Sequence, residues 1–556
     1  MRIVISALAG TALTLFGALS LAQPAEQSPP PKAAGAAAAM DAPPPPPLAG
    51  STGEPDAPSP LVAARPFDGL FDRRGEGPIL AGWSDGFYIR DQNNYFQLFP
   101  RALVHTDVYG FFGPGASTVP ATDGGVGLKS RLLIHRARLG LGGEFLKRWS
   151  FMIEGELGGQ DPNNTTGGAQ LSAAPPGATP TAATARYAPL DSVTSRAGLA
   201  DVWVSYRYAS WLNLMVGQMN LPFSMENRTP DDYTPFLERN LAIRAFVAPG
   251  SKDLGGMLWG DLDEPKLSYE IGVYGGDGQN RPSVDSRVDF AGRIYARPFA
   301  SLGPSSLARY TQIGLSARHG DRDPSSVGYD YPAITTGQGF ALWSPSYTDS
   351  QGRLVHVLPS GSQNAIGGEL RLRFSSYALT AEVAYVDNHT REAVDGYQLT
   401  NTERLGRMRG LGWYVQLSGW LLGDAFVAPD PGVNRPRRLD LQGDGEGRPR
   451  RGLELLAIMS GINASYLGAS RLGSTPDALT PMSDLTAYQI GFGAQYWHTK
   501  HVRVAVNYMV YDTPGSGDPK VNQAVVPANL PSAGTGAEAT TSHLLHELGG
   551  RLSLSF

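Results

Sequence analysis

The stretch Glu547-Leu548-Gly549-Gly550-Arg551-Leu552-Ser553-Leu554-Ser555-Phe556 alternates without a break. Phe556, Leu554, Leu552, Gly550 and Leu548 share one face, and Ser555, Ser553, Arg551, Gly549 and Glu547 share the other. A period of two belongs to a β-strand with one apolar and one polar side. The chain stops on an aromatic residue of the apolar face. Such a strand meets lipid on one side and water on the other. Arg551 and Glu547 are then expected to face water inside a closed sheet, with Phe556 as the signal that closes it.

The other end agrees. Arg2 precedes an apolar run from Ile3 to Leu21, and Ser20-Leu21-Ala22 places small residues where a secretory leader is cut, so residues 1–22 read as a signal peptide. An uncleaved anchor is the alternative, since the run approaches spanning length. Elsewhere no run is long and apolar enough for a membrane helix. The sequence has no cysteine, which excludes a lipoprotein anchor, disulfides and thiolate chemistry. Together these features resemble a bacterial outer-membrane β-barrel.

Composition fits. With 68 Gly, 23 Tyr and a mean hydropathy of -0.20, the 556 residues look soluble to a hydropathy scan. Barrels look that way because only alternate residues face lipid. A formal charge of -5 over this length points to no nucleic-acid partner. Of 46 basic residues, lysine supplies only Lys32, Lys129, Lys147, Lys252, Lys266, Lys500 and Lys520. Arginine keeps its charge and binds oxyanions through a planar fork. A GC-rich genome is the bland source of the same bias.

Residues 23–78 are rich in Pro, Ala and Gly, with Pro43 to Pro47 inside, and read as a disordered or polyproline II periplasmic segment, either a spacer or an inert tail. Residues 79–556 form the barrel. Alternation and turn signals place sixteen strands near 95–112, 129–145, 148–159, 198–209, 211–220, 252–261, 265–276, 287–299, 308–319, 364–375, 377–389, 408–422, 450–466, 485–498, 501–513 and 543–556. Tight turns at Lys147-Arg148, Ala209-Ser210, Ser375-Ser376 and Thr499-Lys500 alternate with long connections near 160–197, 221–251, 320–363 and 513–542. Short turns belong on the periplasmic side and long loops outside. One long charged insert, 423–450, falls on the side that should be periplasmic. In 369–374 the odd positions are charged; in 501–508 Arg503 and Asn507 oppose three valines; in 290–297 Arg293 and Arg297 share a face. Charge on a lipid face costs about 2–4 kcal/mol at mid-depth, so these arginines face the lumen. Trp149, Trp211, Trp413, Trp497, Tyr496 and Tyr508 near strand ends suit interfacial girdles. The fold class is therefore all-β, a transmembrane antiparallel barrel in the outer membrane of a Gram-negative bacterium. Its expected partners are outer-membrane lipid, lipopolysaccharide and the barrel assembly machinery. A soluble solenoid or sandwich explains fewer of these features.

The stretches Ile134-His135-Arg136-Ala137-Arg138-Leu139-Gly140-Leu141-Gly142-Gly143-Glu144, Ala200-Asp201-Val202-Trp203-Val204-Ser205-Tyr206-Arg207-Tyr208, Val216-Gly217-Gln218-Met219-Asn220-Leu221-Pro222-Phe223-Ser224-Met225-Glu226, Phe236-Leu237-Glu238-Arg239 and Ala248-Pro249-Gly250-Ser251-Lys252-Asp253-Leu254-Gly255-Gly256-Met257 resemble the phosphate-selective porin O and P family. The resemblance extends over about 80–556, including the insert before Leu453-Glu454-Leu455. It implies a 16-stranded homotrimeric pore whose third outer loop, here Leu221 to Ser251, folds inward as the constriction. It also implies an ion path for small anions, with phosphate, pyrophosphate or polyphosphate as candidate solutes. The candidate ladder is Arg101, Arg136, Arg138, Arg207, Arg293, Arg297, Arg371, Arg373, Arg503 and Arg551, and the candidate constriction cations are Arg228, Arg239, Arg244 and Lys252. Fixed cations in a narrow passage concentrate anions and replace part of their hydration shell. Each arginine has a second reading, in which it pairs with a lumenal acid (Asp107, Glu144, Glu154, Glu156, Asp201, Glu270, Glu369, Glu382 or Glu547) to brace the wall. The loop departs from the phosphate-selective pattern: it carries Glu226, Asp231 and Asp232 and no lysine cluster.

No catalytic constellation, metal spacing or cofactor motif stands out. The nine histidines read as surface or lumen residues, and Asp440 to Glu446 only faintly resembles a calcium loop, with Arg451 where a terminal Glu belongs. Passive diffusion with anion preference is the leading function. A general or organic-solute porin is the alternative. A barrel enzyme or a cell-wall tether would be a different class.

Overall fold

In the computed structural model, the described residues lie within 81–556, apart from stretches chiefly in connections, the longest being 114–129, 159–169, 172–186, 189–197, 395–404, 428–435, 441–450, 470–478 and 513–543. The expected signal peptide, the Pro-rich segment and the Asp440–Glu446 turn lie wholly or mostly outside the described residues, as does most of the 423–450 insert. Within that insert, Asp424–Val427 pairs with Pro436–Asp440.

Sixteen antiparallel strands close into a barrel. They are β1 (Phe96–Phe112), β2 (Arg131–Phe145), β3 (Trp149–Glu156), β4 (Gly198–Ala209), β5 (Leu212–Asn220), β6 (Lys252–Asp263), β7 (Leu267–Tyr274), β8 (Asp289–Ala296), β9 (Gln312–Arg322), β10 (Leu354–Phe374), β11 (Tyr377–Val394), β12 (Leu405–Leu422), β13 (Gly452–Ala469), β14 (Leu479–Thr499), β15 (Val502–Asp512) and β16 (Leu544–Ser555). Each pairs with the next, and β16 returns to β1 with Arg551 opposite Asp107. Closure ends on Phe556, whose N–H donates to the Ala102 carbonyl at 3.0 Å while the Ala102 N–H donates back at 3.0 Å. Below that point a short hairpin (Ala81–Trp83 and Phe87–Arg90) takes over the free edge of β1, pairing Ile89 with Leu98.

Alternation sets the two faces as expected. On β16, Leu548 and Leu552 are 46% and 44% exposed, whereas Glu547 and Arg551 are 5% and 2% exposed. Closed pairing satisfies every ladder group inside the sheet, which is what lets strands cross lipid. On β12 the outward apolar residues run from Leu411 to Leu421. At about 3.3 Å per residue and about 40° of tilt, that run spans about 25 Å, the height of an outer-membrane apolar band. Above it, Arg407 and Arg409 point outward beside Asp387, with Arg409 Nε 3.8 Å from the carboxylate.

Local departures have local causes. The three-residue turn after β2, Leu146 to Arg148, holds Leu146 and Lys147 in the left-handed region at φ 52° and 58°. β10 starts ten residues before its expected boundary (354 against 364) because a bulge absorbs Pro359 and Gly361, which fall in the connection expected near 320–363. Two aromatics are not girdle residues. Trp413 lies in mid-strand, where a side chain at Gly461 would collide with its indole, and Trp497 is buried and faces inward. Trp149 and Trp211 do lie on the outer surface beside short turns.

Candidate functional site: the inward loop

The connection from β5 to β6 folds into the barrel, and almost every residue from Leu221 to Phe246 is buried. It contains α1 (Met225–Arg228), a single 3-10 turn (Asp231–Tyr233) and α2 (Leu241–Phe246). Each helix has a side-chain cap: Ser224 Oγ accepts from the Asn227 N–H, and Asn240 Oδ1 accepts from the N–H groups of Ala242 and Ile243. Asn227 fastens the base of the loop by donating to the carbonyls of Leu221 (3.1 Å) and Ser251 (3.2 Å).

Three sets of contacts fix the loop across the lumen. The first is Glu382 of β11, which accepts from the N–H groups of Met225 (2.9 Å) and Glu226 (2.8 Å) and from the Tyr414 hydroxyl (2.6 Å). The second surrounds the acids of the loop. Asp231 meets Arg136 at 3.3 Å, Arg138 at 2.7 Å and Arg239 at 2.9 Å. Burial alone would raise its pKa, but these three guanidiniums hold it well below the ordinary carboxylate range. Glu238 meets Arg551 at 2.8 Å, Arg136 at 3.5 Å and His135 at 3.1 Å. The third set is apolar. Phe223, Phe236, Leu237 and Phe246 rest against wall glycines: added Cβ atoms would lie 3.2 Å from Phe223 at Gly367, 3.1 Å from Phe236 at Gly493, 2.8 Å from Leu237 at Gly549 and 2.1 Å from Phe246 at Gly410. α2 then packs with Tyr331, Ile334 and Trp343 of the β9–β10 connection and with Met408, Ile458 and Ile462 of the wall.

A bulge between β1 and β2 serves the second set. His105 pairs with Arg136 and Thr106 with Ile134, so His135 is the extra residue. His135 and Arg136 are therefore both turned inward, each 1% exposed. Asp107, His135 and Glu238 bring potential metal ligands together. A guanidinium already holds that place, because Arg551 Nη2 lies 2.6 Å from Asp107 Oδ2 and 2.8 Å from Glu238 Oε1.

The expected constriction cations sit as follows. Arg228 binds Glu270 (3.1 Å) and the Asn220 carbonyl (2.7 Å). Arg239 binds Asp231 and the Thr229 carbonyl (3.0 Å). Arg244 donates to the carbonyls of Thr335 (2.8 Å) and Thr336 (2.6 Å), joining the loop to the β9–β10 connection, and Lys252 binds Asp201 at 2.8 Å. The ladder residues lie at two levels. Arg101 lies 3.6 Å from Glu154 and 3.5 Å from Asp232; Arg138 binds Glu156 at 2.6 Å; Arg293 binds Glu369 at 2.8 Å and lies 4.4 Å from the Tyr295 ring. Arg551 is enclosed by Asp107, Glu238 and the Leu237 carbonyl rather than by open water. Arg207, Arg297, Arg371, Arg373 and Arg503 occupy the inner face toward the short-turn rim, with Arg373 5.4 Å from the Tyr310 ring. The sequence reading placed Glu382 in the lumen as an arginine partner, not as a support for the loop backbone, and missed the glycine seats entirely. The bulge had a visible signal, since His135-Arg136 breaks the alternation of its strand.

Glu226 gives the loop a pH response. Its carboxylate accepts from the Asn240 N–H at 3.1 Å and from the Asn240 side-chain amide. Burial first, then the charge of Glu382, pushes its pKa from 4.5 up to about 8, against the pull of Asn240, Arg239 and Arg244. A raised carboxyl pKa stabilises the docked state below the undocked value of 4.5, and that contribution is lost as pH rises to about 8. Open-channel current noise is expected to grow across this window and to become flat with pH in Glu226→Gln.

A closed 16-stranded barrel with an inward loop and a charged inner wall is the architecture of an outer-membrane porin. A family model described as phosphate-selective porin O and P matches residues 108–425, more than half of the sequence, and the chain belongs to that family. It is a channel-type protein of the Gram-negative outer membrane. Among solved structures it is similar to OmpT, an outer membrane protein of Vibrio cholerae. The loop L8 deletion mutant is 7% identical with a TM-score of 0.43, covering 83% of this chain and 100% of that one. The outer-membrane expressed form is 8% identical with a TM-score of 0.42, covering 83% and 98%. No curated protein matches the sequence.

Proposed function

We propose that the protein is a passive diffusion pore with a modest preference for small anions, not a strongly phosphate-selective one. The observation that carries this reading is the pairing of the arginines at the loop. At the loop, Arg136, Arg138, Arg228, Arg239 and Arg551 are in ion pairs with acids, so the constriction itself is close to neutral. Toward the short-turn rim, Arg207, Arg371, Arg373 and Arg503 share the inner face, which favours anions there by raising their local concentration. Membership of the family supports a homotrimer. The outward Arg407 and Arg409, just above the apolar band, suit the phosphate-bearing headgroups of lipopolysaccharide.

Reversal potentials in planar bilayers under a KCl gradient test the reading. A chloride-favouring potential that falls in Arg371→Gln/Arg373→Gln is expected, with no strong block when inorganic phosphate is added. Cation selectivity would overturn the anion preference, and tight phosphate block would restore strong phosphate selectivity.

A further inference from the structure

Arg503 differs from the other arginines that touch the loop. Its Nη1 donates to the Thr234 carbonyl (3.0 Å) and to Gln495 Oε1 (2.9 Å), both neutral acceptors. Its Nε is buried without a hydrogen-bond partner, and among the described residues no carboxylate lies in ion-pair contact with it. The residue is 3% exposed. A guanidinium shielded from water without a counter-charge is costly. Asp232 and Glu454 stand nearby, but the Asp232 carboxylate lies 3.5 Å from Arg101, and Glu454 is not in contact.

The surroundings of Arg503 are aromatic. Its guanidinium carbon lies 5.0 Å from the centre of the Trp497 ring. Tyr233, at the tip of the inward loop, stacks on the same indole with centroids 6.4 Å apart and planes at 11°. Trp420 packs against Trp497 from β12. Trp497 is buried with its Nε1–H unpartnered, whereas Tyr233 and Trp420 are only half-buried. Register places the group near the short-turn rim: Trp497 pairs with Arg503 across one tight turn, and Trp420 pairs with Glu454.

We propose that Arg503, Trp497, Trp420 and Tyr233 form a binding site for a planar organic anion of the aromatic carboxylate class, on the periplasmic side of the constriction. The proposal rests on the pore reading above and names a solute class for it. The carboxylate accepts from Arg503 Nε–H and Trp497 Nε1–H and supplies the missing counter-charge. The ring of the solute lies against Trp420 and Tyr233, with the Tyr233 ring sliding off Trp497 to admit it. Inorganic phosphate gains nothing from three aromatic rings and loses hydration among them. A planar anion gains from both halves of the site.

The test uses the purified full chain in planar bilayers, with benzoate, acetate and inorganic phosphate added in turn at equal concentration. Benzoate is expected to block the current where acetate and phosphate do not. Arg503→Gln is expected to raise the half-blocking concentration by about tenfold, the loss of one charge-assisted contact. Trp420→Leu should raise it severalfold, and Glu454→Gln should lower it by removing a nearby negative charge. Heat-modifiable migration reports whether each variant is folded. If Arg503→Gln does not fold, Trp420→Leu carries the test, since Trp420 lies at the half-buried edge. Benzoate acting no more strongly than acetate on a conducting channel overturns the site and leaves the pore reading standing. No current at all overturns the pore reading itself.

Discussion

Arg551→Met is expected to release the tip of the inward loop and raise single-channel conductance severalfold. The residue is 2% exposed and its side chain joins Asp107, Glu238 and the Leu237 carbonyl, the last at 2.5 Å. Removing it leaves two buried carboxylates facing each other, with Tyr109, His135 and Arg136 among the groups close by. Breaking a buried ion network from one side costs about 3–5 kcal/mol, because the remaining charges lose their compensation. The barrel wall keeps its full ladder of backbone bonds, so the least costly relief is for Glu238 to move out to water and take the loop tip with it. The triple variant Asp107→Asn/Glu238→Gln/Arg551→Met is expected to recover most of the loss, since no naked charge remains. A single variant with wild-type conductance and melting temperature would show that the loop is held elsewhere.

The second large effect is expected at Gly410. An added Cβ there would lie 2.1 Å from Phe246 Cε1, and at Gly412 one would lie 2.8 Å from the Ala242 Cβ. Gly410→Val forces α2 off the wall. Overpacking of this kind costs about 1–3 kcal/mol where the neighbours cannot yield. The chain has no cysteine, so a single Ala245→Cys reports docking without background. Labelling by a charged thiol reagent is expected to quicken by at least about tenfold in Gly410→Val, which corresponds to about 1.4 kcal/mol of lost docking. Phe246→Ala in the same background should slow it again by vacating the contested space. Equal labelling rates in all variants would mean that α2 is not seated by this glycine.

The wall was legible in the sequence because a period of two needs no knowledge of neighbours. Glu369, Arg371 and Arg373 alternate with Leu370, Leu372 and Phe374, and the cost of charge in lipid settles which set faces inward. Trp497 was misread: its place near a strand end suggested a girdle, whereas it is buried and shares the inner face with Gln495 and Arg503. The loop contacts were not legible. Arg551 and Glu238 are 313 residues apart in the chain. A glycine such as Gly410 reads as a weak strand position until the ring that occupies its missing side chain is known. Which arginine braces and which stays without a carboxylate depends on those distant meetings, so Arg503 and Arg551 look alike in sequence and differ in surroundings.

The position of Asp107 and Arg551 bears on the order of events during assembly. The two residues face each other across the β1–β16 junction, where the first barrel strand meets the last. Glu238 and Leu237 reach the same guanidinium from the loop. Until β16 arrives, the tip of the loop has no Arg551 to hold and cannot take its final place. The passage therefore narrows only once the cylinder is complete, and the loop then stitches the junction from within. An immature barrel should be leaky, and the moment it ceases to be leaky should coincide with the moment its last strand zips home.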